Sequence, residues 1–347
     1  MKSLLDRRRF LATGIASAIL APRLGLAADP RTIEDAARRR VALPGRVERV
    51  LAAGPPACIL LYAVAPERLI GWTRAPSAEE QAYLPQRYAR LPTVGRLTGR
   101  GNTANMETVL TEKPEVILDY GGVTQTYASL ADRVQTQTQV PYVLLDGRLG
   151  EIPRAVRLVV DLCGAADHGQ KVARYAEQLL ADVDRRVARV ASRPRVYYAR
   201  SANGLETARG RSITTESLER LGARNVVESA DEGGLATVGL EQVLAWDPDV
   251  IVTINAAFAA SVGRDPAWRG LRAVRERRVF VAPLWPFPWI DSPPSVNRLI
   301  GLKWLGSVLY PAEFRDDLRA EARAFYDLFY HRVPDDKQLD ALLPRRG

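Results

Sequence analysis

A twelve-residue pattern occurs twice in the chain, 134 positions apart, and it limits the folds that the sequence can adopt. The first copy starts at Glu107 and contains Pro114, and the second starts at Glu241 and contains Pro248 at the same place. Each copy predicts a short helix, a proline turn and a buried apolar strand. Solenoid repeats recur every 20–50 residues or so, and this much longer spacing therefore predicts two similar lobes.

The repeat also places one glutamate, Glu107 or Glu241, at the same position of each lobe. An acid is stabilised at the positive end of a helix, so the pair is explained by two ordinary exposed side chains. Matched acids also suit a partner with two-fold symmetry. The pattern alone leaves both interpretations open and favours the first.

The first 27 residues have the composition of an export signal of the twin-arginine type. Residues 7–9 are all arginine, a mild apolar run follows over 11–20, and small residues surround Ala27 and Ala28. Cleavage is expected near Ala27 or Ala28. The apolar run is too short to remain as a membrane anchor. We therefore predict export to the periplasm and a soluble mature protein.

The formal charge of the whole chain is +9. Residues 1–27 hold five cations and one anion, so residues 28–347 carry a net charge of +5. Acidic and basic residues are interspersed, without a long basic run or an interleaved aromatic series, and this pattern disfavours a nucleic-acid partner. Arginines that line a cleft would explain the excess of positive charge equally well and would favour an anionic ligand.

Residue types that commonly bind metals are scarce. The two cysteines, Cys58 and Cys163, lie in apolar helical contexts, so two buried thiols and a disulfide are both open. His168 and His331 are the only histidines, which disfavours a zinc or manganese site. We expect no resident metal and no cofactor.

The sequence contains no Gly-x-Ser-x-Gly elbow and no phosphate-binding Walker loop. An enzyme with two carboxylates across a cleft would need Glu107 and Glu241 to face inward, about 5–10 Å apart. Matched positions in two lobes place them far apart. The sequence therefore predicts a protein that is not an enzyme.

Apolar runs alternate between strand and helix periodicity along the whole body of the chain, which predicts parallel sheets covered on both faces. Residues 166–190 keep a helical period without proline, and without glycine after Gly169. They predict one helix of about 36 Å, which would act as a strut and permit only a small hinge. The expected fold is α/β, with two Rossmann-like lobes joined by a single long backbone helix. Its boundaries are the export signal at 1–27, the N-terminal lobe at 28–165, the connecting helix at 166–192, and the C-terminal lobe with the last helices at 193–347.

This organisation resembles the periplasmic solute-binding proteins of ABC importers for iron–siderophore complexes, haem and cobalamin, whose two lobes are joined by one long helix. The resemblance covers nearly all of the mature chain, and its order of segments is 35–50, 105–117, 240–251 and 293–305. Arg38 departs from the glycine that the family usually has in its N-terminal hairpin turn, which predicts a looser turn here.

The resemblance implies a partner and a role for the repeated acids. In that family the acid at the start of the repeated helix pairs with arginines of the membrane permease. Glu107 and Glu241 occupy that position, so the resemblance makes them docking residues for the two halves of an ABC permease dimer. The protein is expected to act as a monomer that contacts the inner-membrane transporter peripherally.

The ligand cleft is expected between the lobes, at the carboxyl ends of the strands. The candidate binding residues follow strands in the sequence: Arg96, Tyr120, Arg200, Asn255, Trp285 and Trp289. The resemblance favours Tyr120, Arg200, Trp285 and Trp289, because family members use aromatic or basic side chains at several of these places. Packing in the core explains the two tryptophans equally well, and solvation explains the arginines.

A ferric siderophore or a similar small-molecule metal complex is the cargo that the resemblance favours. Haem, with Tyr120 as a possible axial ligand, remains open, as do cobalamin and an oxyanion such as molybdate. The residues alone do not decide among them.

A first prediction concerns the repeated acids. Replacing Glu107 or Glu241 by alanine should leave ligand affinity nearly unchanged and impair uptake, more so when both are changed, because charge pairs at a docking surface set orientation and encounter rate. Uptake by cells and ligand affinity in solution are the two measurements. Loss of ligand binding by either folded single variant would contradict the docking role.

Overall fold

The computed structural model describes residues 31–99, 101, 104, 106–229 and 233–344. The predicted export signal lies outside these residues. Within them, none of the helices is both long enough and apolar enough to cross a membrane.

Strands and helices alternate in the order that the sequence predicts. The strands are β1 (Arg31–Glu34), β2 (Arg40–Leu43), β3 (Val50–Ala52), β4 (Val116–Gly121), β5 (Tyr142–Asp146), β6 (Arg195–Ala199), β7 (Glu206–Ala208), β8 (Arg224–Asn225), β9 (Leu235–Thr237), β10 (Val250–Thr253) and β11 (Val279–Val281). The helices are α1 (Pro55–Val64), α2 (Ala78–Gln81), α3 (Gln86–Ala89), α4 (Met106–Glu112), α5 (Gln125–Thr138), α6 (Ile152–Cys163), α7 (Ala166–Val187), α8 (Glu216–Arg220), α9 (Leu240–Trp246), α10 (Ala256–Val262), α11 (Arg272–Arg275), α12 (Arg298–Leu309), α13 (Leu318–Tyr330) and α14 (Asp336–Leu342).

Two parallel sheets form the centres of the two lobes, which confirms the predicted fold class. The first sheet has the order β3-β4-β5 and the second β11-β10-β6-β8, with every pairing parallel. Beside the first sheet, residues 69–73 make only single bridges, from Leu69 to Val50 and from Trp72 to Thr93. Two antiparallel ribbons, β1-β2 and β7-β9, lie outside the sheets.

The repeated sequence folds into the same local structure twice. Helices α4 and α9 start one residue before the repeated glutamate and have seven residues each. Both are followed by a residue in the left-handed region, Lys113 at φ 47° and Asp247 at φ 37°. A proline comes next, and the strand begins two residues after it. The structure therefore has two equivalent units, one in each lobe.

The turn of the N-terminal hairpin is well closed, although Arg38 replaces glycine and takes a φ of 61°. The buried carboxylate of Asp35 accepts hydrogen bonds from the backbone nitrogens of Ala37 and Arg39 at 2.9 and 3.0 Å. It also accepts one from the nitrogen of Leu144 at 3.2 Å. The expectation of a looser turn is wrong, because Asp35 stabilises the loop from inside.

The long helix α7 spans 22 residues, about 33 Å at 1.5 Å per residue. It ends at Val187, three residues before the predicted apolar period ends, because residues 189 and 190 make the tighter hydrogen bonds of a 3₁₀ turn. Its apolar face packs against α6 and α1 and also against α12 and α13. Helix α7 therefore packs against helices that precede it in the chain and against helices that follow it.

The last helices contact the first lobe, although the sequence grouped them with the second. The hydroxyl of Tyr62 in α1 donates to the carbonyl oxygen of Tyr330 at 2.6 Å, and that of Tyr83 donates to Gln338 at 3.1 Å. The guanidinium of Arg332 donates to the carbonyl of Leu84 at 3.0 Å. Local periodicity shows that α13 and α14 are helices but not which lobe covers their apolar faces.

A fully buried arginine, Arg298 at the start of α12, joins the two lobes. Its guanidinium donates to Glu216 Oε2 at 2.8 Å and to the carbonyl of Ile213 at 3.0 Å, both in the second lobe. It also donates to the carbonyl of Gly147 in the first lobe. Glu216 completes the connection by accepting from the backbone nitrogen of Leu149 at 2.8 Å. We call the Arg298–Glu216 pair the interlobe clamp.

Both cysteines are free and buried, so the thiol interpretation holds and the disulfide is excluded. Burial raises the pKa of Cys58 and of Cys163 to about 12. Neither thiol has the ionised form that a reactive cysteine needs.

The clamp generates a stability prediction. Arg298→Met should lower the free energy of unfolding by about 3–5 kcal/mol, because it leaves Glu216 and three backbone carbonyls without their buried partner. Urea unfolding followed by circular dichroism measures the change. Arg189→Met, at an exposed position just after α7, is the control. Equal stability of the two variants would show that the clamp contributes nothing.

Candidate ligand-binding cleft

A cleft of about 580 Å³ lies between the two lobes. In the first lobe its lining comes from residues 121–124 after β4 and from Asp146 and Arg148 after β5. In the second lobe it comes from residues 211–213 and from Glu216, Glu219 and Gly233. The cleft thus lies where the carboxyl ends of the first sheet face the second lobe, as open α/β sheets require.

The first-lobe wall presents the start of a helix. Strand β4 ends at Gly121, and α5 begins four residues later with Thr124 as its N-cap. The side chain of Thr124 makes no capping hydrogen bond to the first amides of α5. Those amides and the positive end of a 14-residue helix therefore lie at the cleft wall, where they favour negative charge.

Two strand-end loops of this wall approach each other closely. A Cβ atom at Gly147 would lie 2.6 Å from the Cα of Gly121, closer than such atoms can come. The absence of a side chain at Gly147 lets the loops after β4 and β5 meet. That contact brings the helix start and Arg148 to the same wall.

Arg148 is the cation of this wall. Its Nε atom donates to both oxygens of Asp146, at 3.1 and 2.9 Å, and the side chain remains 68% exposed. The hydrogen bonds that Arg148 donates to Asp146 raise the pKa of its guanidinium, which keeps it charged at any physiological pH. An exposed guanidinium held by one carboxylate retains donors for a ligand.

The second-lobe wall is the loop between β7 and α8. Arg211 in this loop has a φ of 60°, a left-handed conformation that is uncommon for a residue with a side chain. Glu219 holds the loop by accepting from the nitrogen of Arg211 at 2.7 Å and from the hydroxyl of Thr215 at 2.9 Å. Residues kept in sparsely populated conformations cluster at binding sites. The loop exposes Arg211 at the cleft, across from Arg148.

The acids of the cleft each have donors of their own. Asp146 accepts from Arg148, Glu216 from Arg298, and Glu219 from the loop that carries Arg211. The lining holds three carboxylates and two arginines, and the buried Arg298 behind it offsets the third carboxylate. The most exposed cations, Arg148 and Arg211, come from opposite lobes, so an anion between the lobes would meet a guanidinium on each side.

The two arginines that the sequence selected are placed differently. Arg96 lies outside the cleft lining and donates from Nε to the carbonyl of Gly101 at 2.9 Å. Arg200 is 10% exposed and pairs with Asp291 at 2.9 Å and Glu206 at 2.6 Å. The charge of Arg200 is already offset by two carboxylates within the second lobe, which leaves it poorly suited to a ligand.

The remaining second-lobe candidates have structural roles. Asn255 caps α10, since its side chain accepts from the nitrogen of Phe258 at 3.0 Å. Trp289 is completely enclosed and donates from Nε1 to the hydroxyl of Tyr326 at 3.1 Å. Trp285 is half-buried and packed on the main core. None of the three is among the residues that line this cleft.

Tyr120 lies behind the cleft wall, one residue before Gly121, and its side chain is 1% exposed. Burial raises its pKa to about 12. Among the described residues its hydroxyl has no hydrogen-bond partner. A tyrosine without access to the cleft is not placed to coordinate a haem iron.

Sequence reasoning missed Arg148 and the loop that carries Arg211. The signal for Arg148 was present, since Gly147 and Arg148 follow strand β5 directly. No comparable signal marks Arg211, because its loop has no hydrophobic period and its conformation depends on Glu219. Gly121 and Gly122, which follow the predicted ligand residue Tyr120, line the cleft although Tyr120 does not.

Residues 70–284 match the family model described as periplasmic binding protein. The chain belongs to this family. It is a periplasmic binding protein of an ABC transporter. Glu107 and Glu241 are both exposed at the starts of α4 and α9.

Known proteins resemble this periplasmic binding protein over most of its length. The molybdate-binding protein MolA of Haemophilus influenzae is 25% identical over 331 residues, covering 86% of this chain and 91% of MolA. An ABC transporter solute-binding protein from Sulfurospirillum deleyianum is 27% identical with a TM-score of 0.82, covering 91% of this chain and 99% of its own. The vitamin B12-binding protein BtuF of Vibrio cholerae shares the fold at a TM-score of 0.59 and 23% identity, covering 77% and 98%.

The position of Tyr120 generates a prediction about whether its hydroxyl can coordinate haem iron. Tyr120→Phe should change the free energy of unfolding by less than about 1 kcal/mol, because the lost hydroxyl makes no hydrogen bond. It should also leave any hemin absorbance band unchanged. Tyr142→Phe is the matched control, since that hydroxyl donates to the buried Asp119 at 3.0 Å and its loss should cost about 1–3 kcal/mol. A hemin spectrum that depends on Tyr120 would refute this placement.

Proposed function

We propose that this periplasmic binding protein captures an anionic solute between its lobes and that an oxyanion of the molybdate class is the first candidate. The observation that carries the proposal is the pair of exposed arginines, Arg148 and Arg211, on opposite walls of one cleft. The name of the curated relative, a molybdate-binding protein that aligns with 86% of the chain, supports the choice of oxyanion.

Three features of the cleft favour the binding of an anion. Guanidinium groups donate strong charge-assisted hydrogen bonds to oxyanions. The uncapped start of α5 adds backbone donors and the positive end of the helix dipole. Because the two arginines come from different lobes, an anion that contacts both would hold the lobes together without any covalent step.

An anionic iron complex is the second candidate, and the size of the cleft favours it. A cavity of about 580 Å³ falls in the 300–1,000 Å³ or so that drug-sized ligands fill, and it exceeds the needs of one oxyanion. Because of this volume, the ferric siderophore that the sequence favours stays a prediction. Haem and cobalamin have less support, because the described residues that line the cleft include no aromatic ring, histidine or methionine.

We also propose that residues 1–27 direct export to the periplasm, with cleavage near Ala27 or Ala28. The mature chain would act as a monomer without a resident cofactor or a catalytic step. Binding and release alone suffice for delivery to the permease, and the small hinge expected of α7 suits a cleft that is already largely formed.

Isothermal titration with a panel of anions tests the cargo. Molybdate and tungstate should release heat and saturate, and sulfate, a smaller oxyanion of the same charge, measures how far the site selects by size. Arg148→Ala and Arg211→Ala should each lower affinity about 10-fold, the loss of one charge-assisted contact of about 1.5 kcal/mol. Arg154→Ala is the control, because Arg154 is 66% exposed on α6 and does not line the cleft.

A ferric tris-catecholate complex is titrated in parallel. Tight binding of this complex, with no heat from molybdate, would replace the oxyanion by the iron complex. Unchanged affinity in both arginine variants would show that the anion does not bind in this cleft. Absence of binding by every anion in the panel would refute an anionic cargo.

A further inference from the structure

The only two histidines of the chain meet at one place on the first lobe. His168 and His331 are 163 positions apart in the sequence, yet their ring centroids lie 5.0 Å apart with an angle of 46° between the planes. His168 belongs to the first turn of α7, and His331 follows α13 directly. The fold therefore joins the start of the long helix and the end of α13 through two imidazole rings.

Both rings are held by the same end of α1. Nε2 of His331 lies 3.0 Å from the carbonyl oxygen of Tyr62, and Nε2 of His168 lies 3.0 Å from that of Ala63. A carbonyl oxygen can only accept, so each Nε2 carries the proton and donates it. The other ring nitrogen of a neutral imidazole, Nδ1, then keeps its lone pair. The backbone of α1 thus selects the same tautomer for both histidines.

The two Nδ1 atoms are available to a ligand. Neither accepts a hydrogen bond from any residue that the structure describes. Nor is either Nδ1 one of the buried polar atoms that lack a partner in that part of the chain, so both are open to solvent. Both histidines line a cavity of about 420 Å³, which shares no lining residue with the interlobe cleft. Two unprotonated ring nitrogens therefore face solvent at a place separate from the cleft.

The spacing of the rings suits a shared metal ion. With metal–nitrogen bonds of about 2.0–2.1 Å and bond angles of about 90–109°, two imidazoles on one ion have centroids about 4.5–5.2 Å apart. The observed separation of 5.0 Å falls in this range. Histidines that bind metals almost always donate their second ring N–H to a carbonyl or carboxylate, which orients the ring. Both histidines already make that hydrogen bond.

The remaining lining of the cavity favours a cation. It includes the exposed carboxylates of Glu67 and Asp167 and one cation, Arg87. Among the described residues, no three histidine, cysteine or carboxylate side chains are close enough to hold a metal between them. The protein therefore supplies two nitrogens to an ion at this cavity, and water completes the coordination. Such an ion exchanges with solution and is not a resident cofactor.

A purely structural role explains only part of this arrangement. The last carbonyls of a helix need donors from outside the helix, and the two Nε2–H groups supply them. A glutamine or lysine would donate equally well. Histidine alone adds a second nitrogen that is a good metal ligand, and the chain uses its only two histidines side by side.

We propose that His168 and His331 form a binding site for a divalent late transition metal ion, with Cu²⁺ bound most tightly and Zn²⁺ and Ni²⁺ less so. Imidazole suits these three ions, and their affinities generally peak at Cu²⁺. Ca²⁺ and Mg²⁺ prefer oxygen ligands and should not bind here. A bound ion would connect the start of α7 to the end of α13 and so strengthen the attachment of the last helices to the first lobe. The site does not depend on the identity of the cargo.

Copper titration followed by electron paramagnetic resonance tests the site directly. The protein carries a streptavidin-binding tag, because a polyhistidine tag would bind the same ions. One Cu²⁺ per chain should bind and show hyperfine splitting from two nitrogens. His168→Gln and His331→Asn should each weaken binding at least about 10- to 100-fold, the cost of losing even an outer-shell partner, and leave a one-nitrogen signal. Both replacements keep an N–H donor for α1, and asparagine tolerates the φ of 57° at position 331.

Glu177→Gln is the matched control, since Glu177 lies further along α7, is 44% exposed and does not line the cavity. It should bind Cu²⁺ as the unchanged protein does. Zn²⁺ should raise the Tm of the unchanged protein and of this control but not of the histidine variants, because an ion that prefers the folded state stabilises it. Ca²⁺ and Mg²⁺ at the same concentration should leave every Tm unchanged.

Three results would overturn the proposal: no uptake of Cu²⁺ or Zn²⁺, a one-nitrogen spectrum in the unchanged protein, or equal Cu²⁺ affinity in both histidine variants. The last result would assign the ion to surface carboxylates. Affinity for molybdate and for the ferric complex should be the same with and without Zn²⁺. Failure of either cargo to bind would refute the proposed function and leave the metal site standing.

Discussion

The structure depends on a buried arginine that both lobes share. Arg298 has no exposed surface. Its buried charge is stabilised because the guanidinium donates hydrogen bonds to Glu216 and to three backbone carbonyls. One of those carbonyls belongs to the first lobe, and Glu216 itself accepts from the first lobe at Leu149. Any large separation of the lobes would break the hydrogen bonds from Arg298 to Gly147 and from Leu149 to Glu216. The clamp, together with α7, therefore restricts the motion of the lobes and keeps the cleft largely formed.

Burial decides which arginines face a ligand. Arg200 and Arg298 are enclosed and matched with carboxylates, so their charge stabilises the fold. Arg148 and Arg211 remain exposed on opposite cleft walls, where an incoming anion can reach them. The aromatic residues near the end of the chain follow the same rule. Phe287 packs against Tyr62 and Tyr330, and so fastens the last loop to the first lobe instead of lining the cleft.

The protein combines a symmetric outer surface with an asymmetric cleft. The repeated helix, left-handed residue, proline and strand occur once in each lobe and place Glu107 and Glu241 at equivalent exposed positions. The cleft walls have no such relation, since a helix start and Arg148 face an irregular loop held by Glu219.

The sequence by itself determined the local elements, the two-lobe organisation and the family. Hydrophobic period and turn residues are short-range signals, and they located the long helix predicted at 166–190 to within three residues of α7. The repeat located Glu107 and Glu241 for the same reason. Only the tertiary structure decided that α13 and α14 cover the first lobe, that Arg200 is already paired, and that Trp289 is enclosed. It also brought Arg148 and Arg211 to one cleft. Those outcomes depend on which distant side chains share a buried volume, and the order of residues along the chain carries no direct record of that.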